Sequence, residues 1–280
     1  MTDPLLPVLD ARLASCRPAL IVAPPRSAST AFSRALGQHS AFRRQIHEPC
    51  EVWSYQRGSL QVILDALADL DAHTLIKEMT FQIREPALAR SFLRNSRAPV
   101  LFLVRSPLRT IESRLRMVLT DLKAEPTTSE ADRARIEQAI AARDHRGVAD
   151  LLTEEVFPLW RTGWADLGDQ LALCRAEGID HLIVEAGRFR ADPEATLRAV
   201  CARLGLPFEP QMLQWQRHDR TPHGAWDAHA RWYARVNQST GVLPPDTEDI
   251  QEERFPPRFR AHVPEAMAVY REALSSPSCI

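Results

Sequence analysis

Apolar residues fall into four short continuous runs, and the spacing between the runs predicts the architecture. The first, Ala19-Leu20-Ile21-Val22-Ala23, has no polar position on either face, as expected for a strand buried on both sides of a parallel sheet. Pro24 and Pro25 stop it, and Ser29 or Thr30 can cap a helix running through Ala31 to Leu36, which Gly37 then ends. Further strands are predicted at Thr74-Leu75-Ile76-Lys77 and Val100-Leu101-Phe102-Leu103-Val104, separated by a helix from about Pro86 to Asn95. A fourth, His181-Leu182-Ile183-Val184-Glu185, follows a long helical region in which Ser129 and Asp132 have the spacing of a helix start. Strands separated by helices imply crossover connections and an α/β fold with a central parallel sheet flanked by helices. Ligand sites in such folds lie at the carboxyl ends of the strands.

The expected organisation is one domain over residues 1–280. A helical insertion at about 121–177 would form a cap, beginning with a polar linker at 121–128, and a C-terminal segment at about 208–280 would complete the site. With 280 residues and 45% hydrophobic content, the chain can bury a substantial core. Its net charge of −1 gives no global field directed at nucleic acid or a membrane. The neutral total conceals a local excess: eight arginines between Arg84 and Arg116 face only Glu85 and Glu112. Five scattered cysteines without a CxxC pair suggest neither a disulfide framework nor a zinc site, and His218, His223 and His229 lack metal-ligand spacing. No metal is expected. The first seventeen residues lack the pattern of a signal peptide, and no run approaches the ~18 apolar residues of a membrane span. A cytoplasmic location is the resulting expectation.

Two segments carry candidate chemistry. The turn after the first strand, Pro25-Arg26-Ser27-Ala28-Ser29-Thr30-Ala31, combines one cation and three hydroxyls with the start of a helix. Helix N-termini attract anions, and a guanidinium binds two anionic oxygens at once. An ordinary capped strand–helix turn has the same sequence requirements. The second segment places Arg105 at the end of the third predicted strand, Pro107 in the first turn of the next helix, and Ser113 eight positions after the arginine. A charge at the end of a buried strand is costly unless it meets an anion. Taken together, the two segments describe two neighbouring phosphate subsites.

The first segment resembles the 5′-phosphosulfate loop of sulfotransferases that use 3′-phosphoadenosine 5′-phosphosulfate (PAPS). The stretch Arg105 to Ser113 resembles their 3′-phosphate motif. A third stretch, Val184 to Glu194 followed by Leu204-Gly205-Leu206-Pro207-Phe208, is similar to the strand, helix and LGLP segment of that family, and the three occur in family order. Ala28 stands where the family usually has glycine. The basic glycine-containing motif of many cytosolic members is not recognisable, and the resemblance implies that the segment from Trp226 through Trp232-Tyr233 to Ser239-Thr240-Gly241 takes its place, as in bacterial members with a similar tail. The resemblance implies the P-loop nucleoside triphosphate hydrolase-like sulfotransferase fold, PAPS as donor, and a small-molecule acceptor sulfated on a hydroxyl or an amine.

By the same resemblance, Ser27, Ala28, Ser29, Thr30 and Ala31 would contact the donor together with Arg26, Arg26 holding the leaving phosphate and the transferring group and Ser29 and Thr30 the 5′-phosphate. Arg105 and Ser113 would hold the 3′-phosphate. The general base would be Glu48 or, second, His47, in Gln45-Ile46-His47-Glu48-Pro49. Lys77 could contact the sulfonate, or could pair with Glu78 as a strand-end ion pair; Glu78 is a reserve base and Glu185 is expected to be structural. Trp226, Trp232 and Tyr233 could stack on adenine, line the acceptor pocket, or belong to the core. Two other classes stay open at this point: a P-loop-type kinase using ATP, and a non-catalytic nucleotide-binding protein.

Overall fold

A computed structural model describes residues 3–217 and 230–280. Five strands, β1 (Ala19–Ala23), β2 (Arg44–His47), β3 (Thr74–Met79), β4 (Val100–Val104) and β5 (His181–Glu185), form one sheet in the order β2-β3-β1-β4-β5. Every pairing is parallel. Around it lie α1 (Leu6–Cys16), α2 (Ser29–Leu36), α3 (Glu51–Gln56), α4 (Gln61–Ala66), α5 (Pro86–Asn95) and α6 (Pro107–Ala124). The remaining helices are α7 (Glu130–Ala142), α8 (Trp164–Glu177), α9 (Ala186–Ala191), α10 (Pro193–Leu204), α11 (Ala230–Asn237) and α12 (Pro257–Ser275).

Alternate strand residues feed two apolar layers, as a pleat buried on both faces requires. Leu20, Val22, Ile76, Phe102 and Ile183 pack with α1, α5 and α8 on one face. Ile21, Leu75, Leu101, Leu103 and Val184 meet Phe32, Phe189, Leu197 and Val200 on the other. A third cluster joins Ile111, Leu115 and Leu119 of α6 to Ile136 of α7, Phe157, and Phe259 and Val263 of α12. This is the core of the helical insertion. Its extent differs from the expected 121–177: Trp164, Leu167 and Leu171 of α8 belong to the layer beneath the sheet. At its start α6 continues to Ala124, shortening the linker.

The strand β2 was not expected. It lies at the sheet edge and buries only Ile46, so it leaves no apolar run in the sequence. The start of α2 also differs from expectation. Ala28 is the N-cap residue with φ 64°, no side chain caps the helix, and Ser29 is already its first residue. Gly37 ends α2 with an ordinary φ of −70°. At α7, Ser129 Oγ does accept the Asp132 N–H at 3.1 Å.

Candidate active site

The carboxyl ends of β1, β2 and β4 open onto one cavity of about 620 Å³, within the range of small-molecule sites. Its wall includes Arg26, Ala28, Ser29, Thr30, Ala31, Glu48, Arg105, Ser113 and Tyr233. The β1–α2 turn holds two left-handed residues, Arg26 at φ 66° and Ala28 at φ 64°. The αL region costs an L-residue roughly 1–2 kcal/mol, so Ala28 occupies the conformation at which glycine is easiest. Ser27 is fully buried and donates to the Pro24 carbonyl at 2.7 Å. Its hydroxyl closes the turn rather than facing the cavity, which corrects its expected contact with the donor.

The turn and the β4–α6 segment are joined directly. Arg105 Nη1 donates to the Arg26 carbonyl at 3.0 Å, and Arg26 Nε donates to Ser113 Oγ at 3.0 Å. Burial, then Arg114 and other nearby arginines, lower the Arg26 guanidinium to about 10. A nearby anion would favour the charged form of this guanidinium. Seven arginines line the cavity (26, 105, 109, 114, 116, 143 and 190) against five acids, Glu48, Glu51, Glu112, Asp246 and Glu248.

On the opposite wall, β2–β3 pairing sets His47 beside Lys77, and the Glu48 N–H donates to the Lys77 carbonyl at 2.7 Å. Lys77 is fully buried and its ammonium donates to Glu48 Oε1; His47 Nε2 lies 2.9 Å from the same oxygen. Gln82 Nε2 donates to Oε2 at 2.7 Å. Burial alone would raise the Glu48 carboxyl, but Lys77, aided by His47, outweighs burial and holds it well below the usual carboxylate range. Neither Lys77 nor His47 forms part of the cavity wall. The expected Lys77–sulfonate contact is therefore replaced by a buried ion pair, and that pair is with Glu48 rather than Glu78. His47 stands behind Glu48 rather than facing a ligand.

Two more acids sit close by. Burial, then Glu48, push Glu51 up to about 7. Glu51 opens α3 and lines the cavity, and the sequence alone did not single it out. Burial raises Glu78 to about 8, although its carboxyl accepts the Cys50 N–H at 2.7 Å. Glu185 accepts the Arg188 N–H at 2.8 Å and the Tyr270 hydroxyl at 3.1 Å, a local structural role. Tyr233 lines the cavity with its ring 5.9 Å from that of His47. Trp226, His218, His223, His229 and the Trp232 side chain lie outside the described residues. Among the described residues no group of three or more His, Cys, Asp or Glu is placed to hold a metal ion. No described helix is long and apolar enough to cross a membrane.

A family model described as "Sulfotransferase domain" matches residues 165–269, from α8 into α12. Branched-chain-amino-acid aminotransferase-like protein 1 of Arabidopsis thaliana is 30% identical over 117 residues, which is 38% of this chain and 20% of that protein. Protein 2 of the same name is 37% identical over 73 residues, 26% of this chain and 12% of that protein. The chain thus spans a fifth or less of the length of these relatives. Among solved structures, the sulfotransferase domain from the curacin biosynthetic pathway superposes with TM-score 0.48 and 17% identity, covering 89% of this chain and 99% of that one. A sulfotransferase from Alicyclobacillus acidocaldarius gives 0.45 and 14%, covering 80% and 97%. Residues 165–269, a little over a third of the chain, are thus similar to the sulfotransferase domain.

Proposed function

We propose that the protein moves a sulfuryl group from PAPS to a hydroxyl or amine of a small acceptor. The observation that carries this reading is the clasp Arg105–Arg26–Ser113, which brings the two sequence motifs within hydrogen-bond reach at the mouth of an arginine-lined cavity. One helix N-terminus would attract any phosphate; two cationic segments joined side by side suit a nucleotide with phosphates at separate positions. The excess of arginine over acid on the wall fits a polyanionic donor.

In this reading Arg26 neutralises charge on the departing 5′-phosphate, and Ser29 and Thr30 in the first turn of α2 support it with hydroxyls and helix N–H groups. Ser113 holds Arg26 in position, and Arg105 meets the 3′-phosphate. The acceptor proton passes to the Glu48–Glu51 pair. Glu48 is the acid anticipated from the sequence, but both its oxygens are engaged and its basicity is low. Glu51, raised to about 7 by burial and by the charge of Glu48, is the member able to gain a proton near neutral pH.

Thermal stabilisation by 3′,5′-adenosine bisphosphate, exceeding that by ADP or by ATP with magnesium, tests the donor. Desulfation of PAPS over a panel of phenols, sugars and amino alcohols tests the reaction, and Arg26→Ala should abolish it. Stabilisation by ATP and magnesium alone would point to a kinase. A bisphosphate response with no turnover on any acceptor would point to a non-catalytic binder. For the proton, Glu48→Gln and Glu51→Gln should each spare bisphosphate binding, and at least one should lower turnover ~10²–10⁴-fold. Full activity in both would refute the assignment.

A further inference from the structure

The segment after α11 contributes Gly241, Leu243, Pro244 and Asp246 to the cavity wall. It is clasped there by arginines. Arg190, in α9 just beyond β5, donates through Nε to the Leu243 carbonyl at 3.0 Å and also reaches the Pro244 carbonyl. Its Nη1 meets Asp246 Oδ2 at 2.8 Å, and Arg105 Nη2 donates to that same oxygen. Adjacent parallel strands β4 and β5, with Val104 paired to Glu185, bring these two arginines together from positions 85 residues apart.

Two partly buried guanidiniums converge on one carboxylate oxygen. Burial, opposed by Asp246, lowers the Arg105 guanidinium. A carboxylate supplies one negative charge; a phosphate monoester supplies nearly two and has more oxygens to distribute between two forks. Both anions cannot use the same guanidinium hydrogens at once, and their mutual repulsion at hydrogen-bond separations is strong in a partly dry site.

We propose that Arg190 joins Arg105 at the donor's 3′-phosphate, and that Asp246 holds this subsite in the free protein and is displaced when the phosphate binds. The proposal rests on PAPS being the donor. Asp246 keeps two partly buried cations paired until the ligand arrives, and it makes the segment at 241–250 respond to the presence of the extra phosphate. A nucleotide without a 3′-phosphate leaves Asp246 in place.

The test compares 3′,5′-adenosine bisphosphate with 5′-AMP, by calorimetric titration of the full chain. Wild type should bind the bisphosphate at least tenfold more tightly than AMP. Arg190→Gln should weaken the bisphosphate at least tenfold and AMP less than threefold. Asp246→Asn should tighten the bisphosphate severalfold and leave AMP within twofold, whereas Glu248→Gln, removing a nearby acid of the same segment, should shift both ligands alike. Because Arg190 also holds backbone carbonyls, Arg190→Gln may be accepted only with a wild-type unfolding profile; Asp246→Asn decides the matter if that variant is unstable. Unchanged or weaker bisphosphate binding by Asp246→Asn overturns the proposal, as does an equal loss of both ligands in a folded Arg190→Gln. If wild type shows no preference for the bisphosphate, the donor reading itself falls and the subsite falls with it.

Discussion

Replacing Lys77 by Met tests the wall on which the proposed chemistry depends. Methionine nearly matches the volume and shape of lysine, so the substitution removes a charge without opening a cavity. It leaves Glu48, which is 6% exposed, with His47 and Gln82 but without its cation. Breaking one side of a buried pair costs about 3–5 kcal/mol, a large share of the 5–15 kcal/mol by which domains are usually stable. The charged form of Glu48 loses its main support, so its carboxyl should rise toward or above the usual range. The pH dependence follows in sign. A depressed carboxyl contributes stability that is complete above its unfolded value near 4.5 and is lost as pH falls through the folded value, so wild type keeps this contribution well into acid. Lys77→Met should lose it at neutral pH. Urea unfolding at pH 7 measures the cost, and the cycle with Glu48→Gln and the double variant measures the coupling. A loss below about 1 kcal/mol, or double-variant additivity, would mean that the pair is not the electrostatic anchor of this wall.

Three further outcomes are expected. Glu78, raised by burial from 4.5 to about 8, binds a proton in the folded chain that the unfolded chain has already released, so stability should fall as pH rises from about 5 to 8; Glu78→Gln should flatten that slope, and an unchanged urea midpoint profile would contradict it. His145 is fully buried, lacks a hydrogen-bond partner for either ring nitrogen among the described residues, and is lowered to about 4. Its neutral form is favoured by folding, so stability is lost as pH falls from about 6.5 to 4; His145→Leu should be neutral or stabilising at pH 7 and should lessen that acid loss, while destabilisation beyond about 1 kcal/mol would reveal a partner for the ring. Ala28→Gly relieves a left-handed alanine worth about 1 kcal/mol but loosens the unfolded chain by a similar amount. Urea stability should therefore change by less than about 1 kcal/mol, whereas Ala28→Val should lower it clearly.

What the sequence disclosed follows the sheet. β1, β3 and β4 are legible because central strands covered on both faces need apolar residues at successive positions, and β5, at the far edge, is legible because it too buries three successive residues, with the C-terminal residues 278–280 bonded along its outer side. β2 hides because an edge strand with one buried residue has no such need. The same logic governs the site. Arg26 and Arg105 are conspicuous because each is a cation directly beyond an apolar run, and the structure brings them within one hydrogen bond of each other. Arg190 follows β5 by five residues and carries a weaker form of the same signal, whereas Asp246 has no local signal at all. Its importance comes from the fold, which folds a distant segment back across β4 and β5. Glu51 is hidden for another reason: only its placement beside a charged Glu48 in a buried wall distinguishes it from any acid in a first helical turn.

The arginines that line the cavity are matched in large part by the chain's own carboxylates: Asp246 on Arg105 and Arg190, Glu248 on Arg143, and Glu112 on Arg116. Burying cations for a ligand that is not always present would destabilise the free protein unless internal anions occupied them. Asp246 and Glu248 come from the segment at 241–250, which also supplies part of the cavity wall. Glu112 instead belongs to the helix that carries Ser113, so its pairing with Arg116 need not change with that segment. Donor binding should therefore exchange Asp246 for the phosphate while leaving the Glu112–Arg116 pair intact. Salt gives the check. Bisphosphate affinity of wild type should fall less steeply with ionic strength than that of Asp246→Asn, because the wild-type subsite trades one anion for another whereas the variant binds the phosphate to uncompensated charge. Equal slopes would show that Asp246 and the ligand do not compete for the same arginines.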